Sequence, residues 1–213
     1  MPVKLQIALD DITLKDAVAL VARVREYIDI IEVGTPLIYR CGMEAVRTMK
    51  RRFPDKAVLA DMKIVDGGLW ETEDAMLAGA DYVTALGVSE DITIQRCIET
   101  AGKYGREIVV DMICVPDLPG RIRALEALGV QGLAVHTGID QQAAGRTPLD
   151  DLKLMSACAK KAKLSVAGGI RPETVAEYAA YRPEVMIVGG GITHAADPVA
   201  AAAAIARQLR ACE

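Results

Sequence analysis

Aromatic side chains are scarce: the 213 residues hold one Trp, one Phe and six Tyr. A core built almost without them must be aliphatic, which suits layers of Val, Ile, Leu and Ala and argues against an aromatic-rich sandwich. A basic tract is missing too. The formal net charge is -4 and the pI about 5.4, so no electrostatic footprint for nucleic acid exists and none is expected as a partner. No run approaches the roughly 18 apolar residues of a membrane span, and the opening MPVKLQIALDD enters a strand-like pattern without a signal-peptide layout. No membrane partner is expected. The five cysteines (Cys41, Cys97, Cys114, Cys158 and Cys212) are odd in number, widely spread and form no C-x-x-C pair. They are expected to be reduced thiols of a cytoplasmic protein, mostly small core residues. No G-x-S-x-G signals nucleophilic hydrolysis, and no G-x-G-x-x-G follows the first strand pattern, which weakens a dinucleotide site.

What is present is rhythm. Hydrophobic residues make up 52% and charged residues 25%, an ordinary globular balance with no compositional break, so residues 1–213 are expected to form one domain. Eight short apolar runs recur: KLQIAL, IDIIEV, AVLADM, DYVTAL, EIVVDM, GLAVHT, LSVAGG and VMIVGG, about 27 residues apart. Segments of helical spacing separate them; between residues 14 and 28, Leu14, Ala17, Val18, Val21, Val24 and Ile28 follow a 3.6 period. Thr13 with Asp16 resembles a capping box, and Asp197 before Pro198 sets a cap ahead of a first-turn proline. Gly79, Gly105 and Gly129 stand where left-handed helix ends favour glycine. Continuous rather than alternating apolar runs indicate strands buried on both faces, hence a parallel sheet. Eight such β-then-α units fit an α/β (β/α)8 TIM barrel, with an open doubly wound sheet as the alternative.

The C-terminal ends of these runs carry Asp10, Glu32, Asp61 with Lys63, Asp111, His136, Gly168-Gly169 and Gly189-Gly190-Gly191. In a barrel they converge on one mouth. Side-chain-free glycines after the last two strands admit a phosphate close to backbone N–H groups, although they also serve tight strand-to-helix turns. Glu32 and Asp61 suit a hard cation such as Mg2+, or else a structural ion-pair network with Lys63. His136 suits general acid–base work, or a structural role. His194, beyond the glycines, reads as a loop or helix-start residue.

The D-x-K-x-x-D stretch Asp61, Lys63, Asp66 in LADMKIVDGG resembles the signature of the orotidine 5'-monophosphate decarboxylase superfamily. DIIEVGTPLI, YVTALGV, VVDMICVPDLPGR, AVHTGIDQQAAGRTPLDDL and IVGGGITHAADP extend the likeness along nearly the whole chain. The likeness is greatest to the branch of 3-hexulose-6-phosphate synthases, with the 3-keto-L-gulonate-6-phosphate decarboxylases close by. It implies a (β/α)8 barrel working as a homodimer with shared active sites and Mg2+ on Glu32 and Asp61. It further implies that Asp10 and Lys63 position hydroxyl and oxyanion groups of a phosphorylated ketose, and that Asp66 reaches into the neighbouring subunit. His136 would transfer protons, Asp111 would contact substrate, and Gly168, Gly169, Gly190 and Gly191 would bind phosphate. Three departures separate the branches: no arginine follows His136 in HTGID, GGG stands where decarboxylases tend to carry an arginine, and Asp111 replaces a glutamate. All three favour joining formaldehyde to D-ribulose 5-phosphate. The rivals are decarboxylation of 3-keto-L-gulonate 6-phosphate to L-xylulose 5-phosphate, metal-independent isomerisation or epimerisation of a pentose phosphate, and non-catalytic phosphosugar binding.

Overall fold

The computed structural model describes residues 3–211. Eight parallel strands, β1 (Lys4–Leu9), β2 (Ile30–Val33), β3 (Ala57–Ile64), β4 (Tyr82–Leu86), β5 (Glu107–Asp111), β6 (Gly132–His136), β7 (Lys163–Ala167) and β8 (Val185–Val188), pair in sequence order. The sheet closes where Leu5 and Ile7 of β1 register with Met186 and Val188 of β8. The closed barrel excludes the open-sheet alternative. All eight apolar runs became strands, because each buries one row of side chains under the helices and the other in the barrel.

The outer row is the larger core. Ile7, Ile31, Val58, Val83, Val110, Leu133, Val166 and Met186 are fully buried or nearly so, and the inner faces of the helices cover them. The first helix, Leu14–Val24, buries Ala17, Leu20, Val21 and Val24, and ends earlier than the apolar period suggests because Arg25–Tyr27 turn before Ile28 packs beneath. Its cap is a variant of the expected box. The Thr13 hydroxyl accepts from the Asp16 N–H (3.2 Å), and the Asp16 carboxylate accepts the hydroxyl's own proton (2.7 Å). Asp197 Oδ1 accepts from the N–H groups of Val199 and Ala200, as an N-cap does. Gly79, Gly105 and Gly129 all have positive φ (96°, 65° and 92°).

The cysteines depart from expectation. Cys97 alone among the described ones is buried; Cys41 and Cys158 are half-buried, Cys114 is exposed, and Cys212 lies outside the described residues. All four described cysteines are free thiols. Among the described residues no helix is long and apolar enough to cross a membrane.

The outer layer sets stability. Leu133→Ala, which empties a fully buried site on β6, is expected to cost about 2–5 kcal/mol. A urea melt would show this as a lower midpoint at unchanged slope.

Candidate active site

A cavity of about 1140 Å³ runs along the inside of the barrel to its C-terminal mouth, and its wall carries every expected site residue except Asp66. Asp10, Glu32, Asp61, Lys63, Asp111, His136, Gly168, Gly169, Gly190 and Gly191 all line it. Asp66 is exposed, two residues beyond β3, and does not face the mouth of its own barrel.

Asp61 and Lys63 lie on β3 rather than on a loop, and the strand is irregular there. Ala60 pairs with Val83 and Ile64 with Ala85, so three β3 residues stand opposite the single β4 residue Thr84. Within this bulge Lys63 takes a left-handed backbone conformation (φ 49°). The buried Asp61 carboxylate is held from both sides. Its Oδ2 accepts from Lys63 Nζ (2.5 Å) and lies 2.7 Å from the Thr35 hydroxyl, while Oδ1 accepts from the Thr84 hydroxyl (2.8 Å).

Lys63 Nζ also lies 3.5 Å from Asp111 Oδ2, and that same oxygen is 2.7 Å from His136 Nδ1. A continuous chain Asp61–Lys63–Asp111–His136 therefore crosses the mouth from β3 to β6. Burial alone would drive the Asp111 carboxyl upward, but the His136 hydrogen bond, the His136 and Lys63 charges and the Ile113 N–H bring it below its ordinary value. Burial likewise opposes the Lys63 ammonium. Asp61 and Asp111 overcome that, and the amine is held above its ordinary value, protonated and a poor Schiff-base nucleophile. Asp111, expected as a substrate contact, thus spends its oxygens on protein groups.

The opposite sector is acidic. Glu32 is 8% exposed and accepts from Gln6 Nε2 at 2.5 Å. Burial first, then repulsion by Asp61 and Asp10, pushes it well above its ordinary value. Asp10 is raised for the same reasons, burial ahead of Asp61. Arg40 fastens the loop that carries it, donating to the backbone carbonyls of Asp10 and Ile12.

This acidic sector fits a hard cation. Glu32 and Asp61 come from neighbouring strands, and the Asp61 charge adds to the cost of ionising Glu32, which a cation between them would relieve. Among the described residues no group of three or more His, Cys, Asp or Glu has metal-holding geometry. A cation here would take few protein ligands, the habit of Mg2+.

The glycine loops fit an anion. Gly168 (φ 125°) turns directly after β7, where an added Cβ would stand 2.7 Å from the Thr137 carbonyl; on Gly191 it would overlap the Ile170 carbonyl. Among the described residues the N–H groups of Gly169, Gly190 and Gly191 donate to no backbone acceptor outside the regular elements and to no side chain, and all three glycines line the cavity. His194, read from sequence as a loop or helix-start residue, lies in the turn directly after the short helix Gly190–Thr193 and lines the cavity.

Sequence reasoning missed Gln6, Thr35 and Thr84. Threonine in an apolar run such as YVTAL is ordinary in a strand, and only cross-strand register reveals what it touches. The position of Thr35 directly after the run IDIIEVG was the one available signal.

Because the Glu32 carboxyl is raised on folding, stability is lost as pH rises from its unfolded value near 4.5 through the folded one. In metal-free buffer Glu32→Gln is therefore expected to melt higher than the parent at pH 7–8, by roughly 2–4 °C per kcal/mol recovered. The gain should disappear below the unfolded value; calorimetric melts across pH read both.

The family described as orotidine 5'-phosphate decarboxylase / HUMPS matches residues 3–205. The chain is 46% identical over 199 residues to a 3-hexulose-6-phosphate synthase of Staphylococcus aureus, covering 93% of this chain and 95% of the relative. The crystal structure of 3-hexulose-6-phosphate synthase from Salmonella typhimurium superposes with a TM-score of 0.98 at 52% identity, covering 99% of this chain and 100% of the other. A 3-keto-L-gulonate-6-phosphate decarboxylase from Vibrio cholerae gives 0.88 at 32% identity, covering 100% of both chains. With a family match along nearly its whole length and the same barrel throughout, the chain belongs to the orotidine 5'-phosphate decarboxylase / HUMPS family, in which it is a carbon–carbon lyase.

Proposed function

We propose that this lyase condenses formaldehyde with D-ribulose 5-phosphate to give 3-hexulose 6-phosphate through a 1,2-enediolate, with Mg2+ as its cofactor and a homodimer as its working form. The observation that carries the reading is the chain Asp61–Lys63–Asp111–His136, set in one cavity with unpaired glycine amides. The names of the two synthase relatives support the choice of reaction.

His136 is suited to the first step. Its Nδ1 points its proton at Asp111 Oδ2, which leaves Nε2 as the basic nitrogen. Nε2 takes the C1 proton of the ketose, and the electron pair moves into a C1–C2 double bond with negative charge on oxygen. Lys63, held protonated, stabilises that charge. Glu32 and Asp61 would hold Mg2+, which would supply Lewis-acid stabilisation of the developing negative charge. C1 then attacks the formaldehyde carbon, and the new alkoxide takes the proton back from the His136 imidazolium. Asp111 steadies the imidazolium between the two transfers. Asp10, whose raised carboxyl retains a proton more readily, faces substrate hydroxyls from the loop directly after β1. Gly168, Gly169, Gly190 and Gly191 hold the phosphate with backbone N–H groups after β7 and β8.

The homodimer draws support from the surface around Asp66. Val65, Trp70, Val88, Ile92 and Tyr39 are exposed apolar side chains on the consecutive units that follow β2, β3 and β4. Monomers rarely leave such groups in water together. Asp66 sits at their centre in sequence and would enter the partner's mouth.

Proton NMR in D2O tests the chemistry. Mg2+ and D-ribulose 5-phosphate should give C1 exchange, formaldehyde should then be consumed, and EDTA should abolish both. His136→Asn should slow exchange by about 10²-fold or more. No exchange, together with turnover of 3-keto-L-gulonate 6-phosphate, would transfer the chain to the decarboxylase reaction. Mg2+ at 100 times its dissociation constant should stabilise the parent by about 2.7 kcal/mol and leave Glu32→Gln unmoved. Mixing Asp66→Asn with His136→Asn subunits should restore activity, since one site of each mixed dimer is complete. No recovery after subunit exchange would place Asp66 in its own subunit's site or outside the chemistry.

A further inference from the structure

We infer that Thr84 is a positioning residue, whose hydroxyl fixes the backbone of Lys63 and the carboxylate of Asp61 in one act; the catalytic part of this inference rests on the function proposed above. Thr84 is the single β4 residue facing the three-residue excursion Asp61–Lys63 of β3. Thr84 is 5% exposed, and its hydroxyl has two contacts, accepting from the Lys63 N–H at 2.9 Å and donating to Asp61 Oδ1 at 2.8 Å. The direction of both bonds is forced. An N–H can only donate, so the one hydroxyl proton is left for the carboxylate.

The bulge explains why a side chain is needed. Three residues opposite one cannot all pair with β4, and the Lys63 N–H would otherwise have no strand partner. A non-glycine residue at φ 49° is also strained, and such backbone persists only where its surroundings over-determine it. Thr84 supplies the missing acceptor. In the same geometry it caps Asp61 Oδ1, so the carboxylate plane is fixed and Oδ2 stays turned toward Lys63 Nζ and the Thr35 hydroxyl. The strained backbone and the charged pair are thereby one unit. A change at Thr84 should displace both the ammonium and the carboxylate, because both of its hydroxyl contacts go to protein groups.

The test needs three proteins. In the unaltered protein without substrate, the Lys63 amide should exchange slowly with D2O, well behind the exposed Val65 and Asp66 amides. Exchange as fast as theirs overturns the inference, whatever the reaction turns out to be. Thr84→Ser keeps the hydroxyl and should retain the slow amide and activity within a few-fold. Thr84→Val keeps the shape and should lose the protection, with kcat reduced about 10- to 100-fold. KM for the pentulose phosphate should change little, because the phosphate loops lie elsewhere. Full activity in Thr84→Val, or equal losses in Ser and Val variants with matching thermal melts, would sink the positioning role. If Thr84→Val does not fold, the Ser variant and the Lys63 amide still decide the matter. An unaltered protein that shows the slow amide but no C1 exchange refutes the proposed reaction and leaves the Thr84 geometry standing.

Discussion

One ammonium group among four carboxylates is the constraint on which the mouth of this barrel depends. Lys63 Nζ reaches Asp61 and Asp111 directly, and its charge also lowers the cost of ionising Glu32 and Asp10. Removing charges from water is expensive, and attraction repays it only where the geometry is close and the remaining valences are satisfied. Here that condition holds on one side and fails on the other. Asp111 has His136, Lys63 and the Ile113 N–H and sits below its ordinary value, while Glu32 has Gln6 and sits well above. The imbalance leaves the sector from β1 to β3 short of positive charge.

The outer barrel carries the cost of this arrangement. Aliphatic rows between sheet and helices are buried without polar side-chain atoms, so the strands are rigid enough to present side chains from all eight of them to one cavity. Polar groups inside the mouth are then held by neighbours on other strands: Gln6 on Glu32, Thr84 on Asp61, His136 on Asp111. None of these pairs is local in sequence. Their geometry belongs to the register of the closed sheet.

That distinction separates what was legible in the chain from what was not. Parallel strands buried on both faces write themselves as apolar runs, and all eight were readable, as was the convergence of acids, lysine and histidine at their ends. The glycine turns were readable as well, since a positive φ leaves glycine the unstrained choice. The bulge in β3 was not. Asp61 and Lys63 look like the start of a loop because neither residue type favours strands, and the register shift that keeps them on β3 is a property of its pairing with β4. Thr84 hid for the complementary reason, being an ordinary strand residue until its partner strand is known. Asp111 and His136 were both recognised, yet their bond joins residues 25 positions apart and appears only when β5 lies beside β6. The cysteines misled because type suggests burial, whereas Cys114 sits in a left-handed turn at the cavity rim, exposed.

Around the rim the roles fall in chain order: carboxylates on β1 to β3, the cation on β3, the Asp111–His136 pair on β5 and β6, and glycine turns after β7 and β8. The acids with their ammonium, the acid–histidine pair and the glycine turns occupy successive arcs. On the proposed function, substitutions after β5 and β6 would alter which proton moves, and to where, without disturbing the glycine arc or the carboxylate arc. A barrel partitioned in this way can exchange one carbon–carbon bond chemistry for another by small local steps, keeping a foothold on the same kind of substrate throughout.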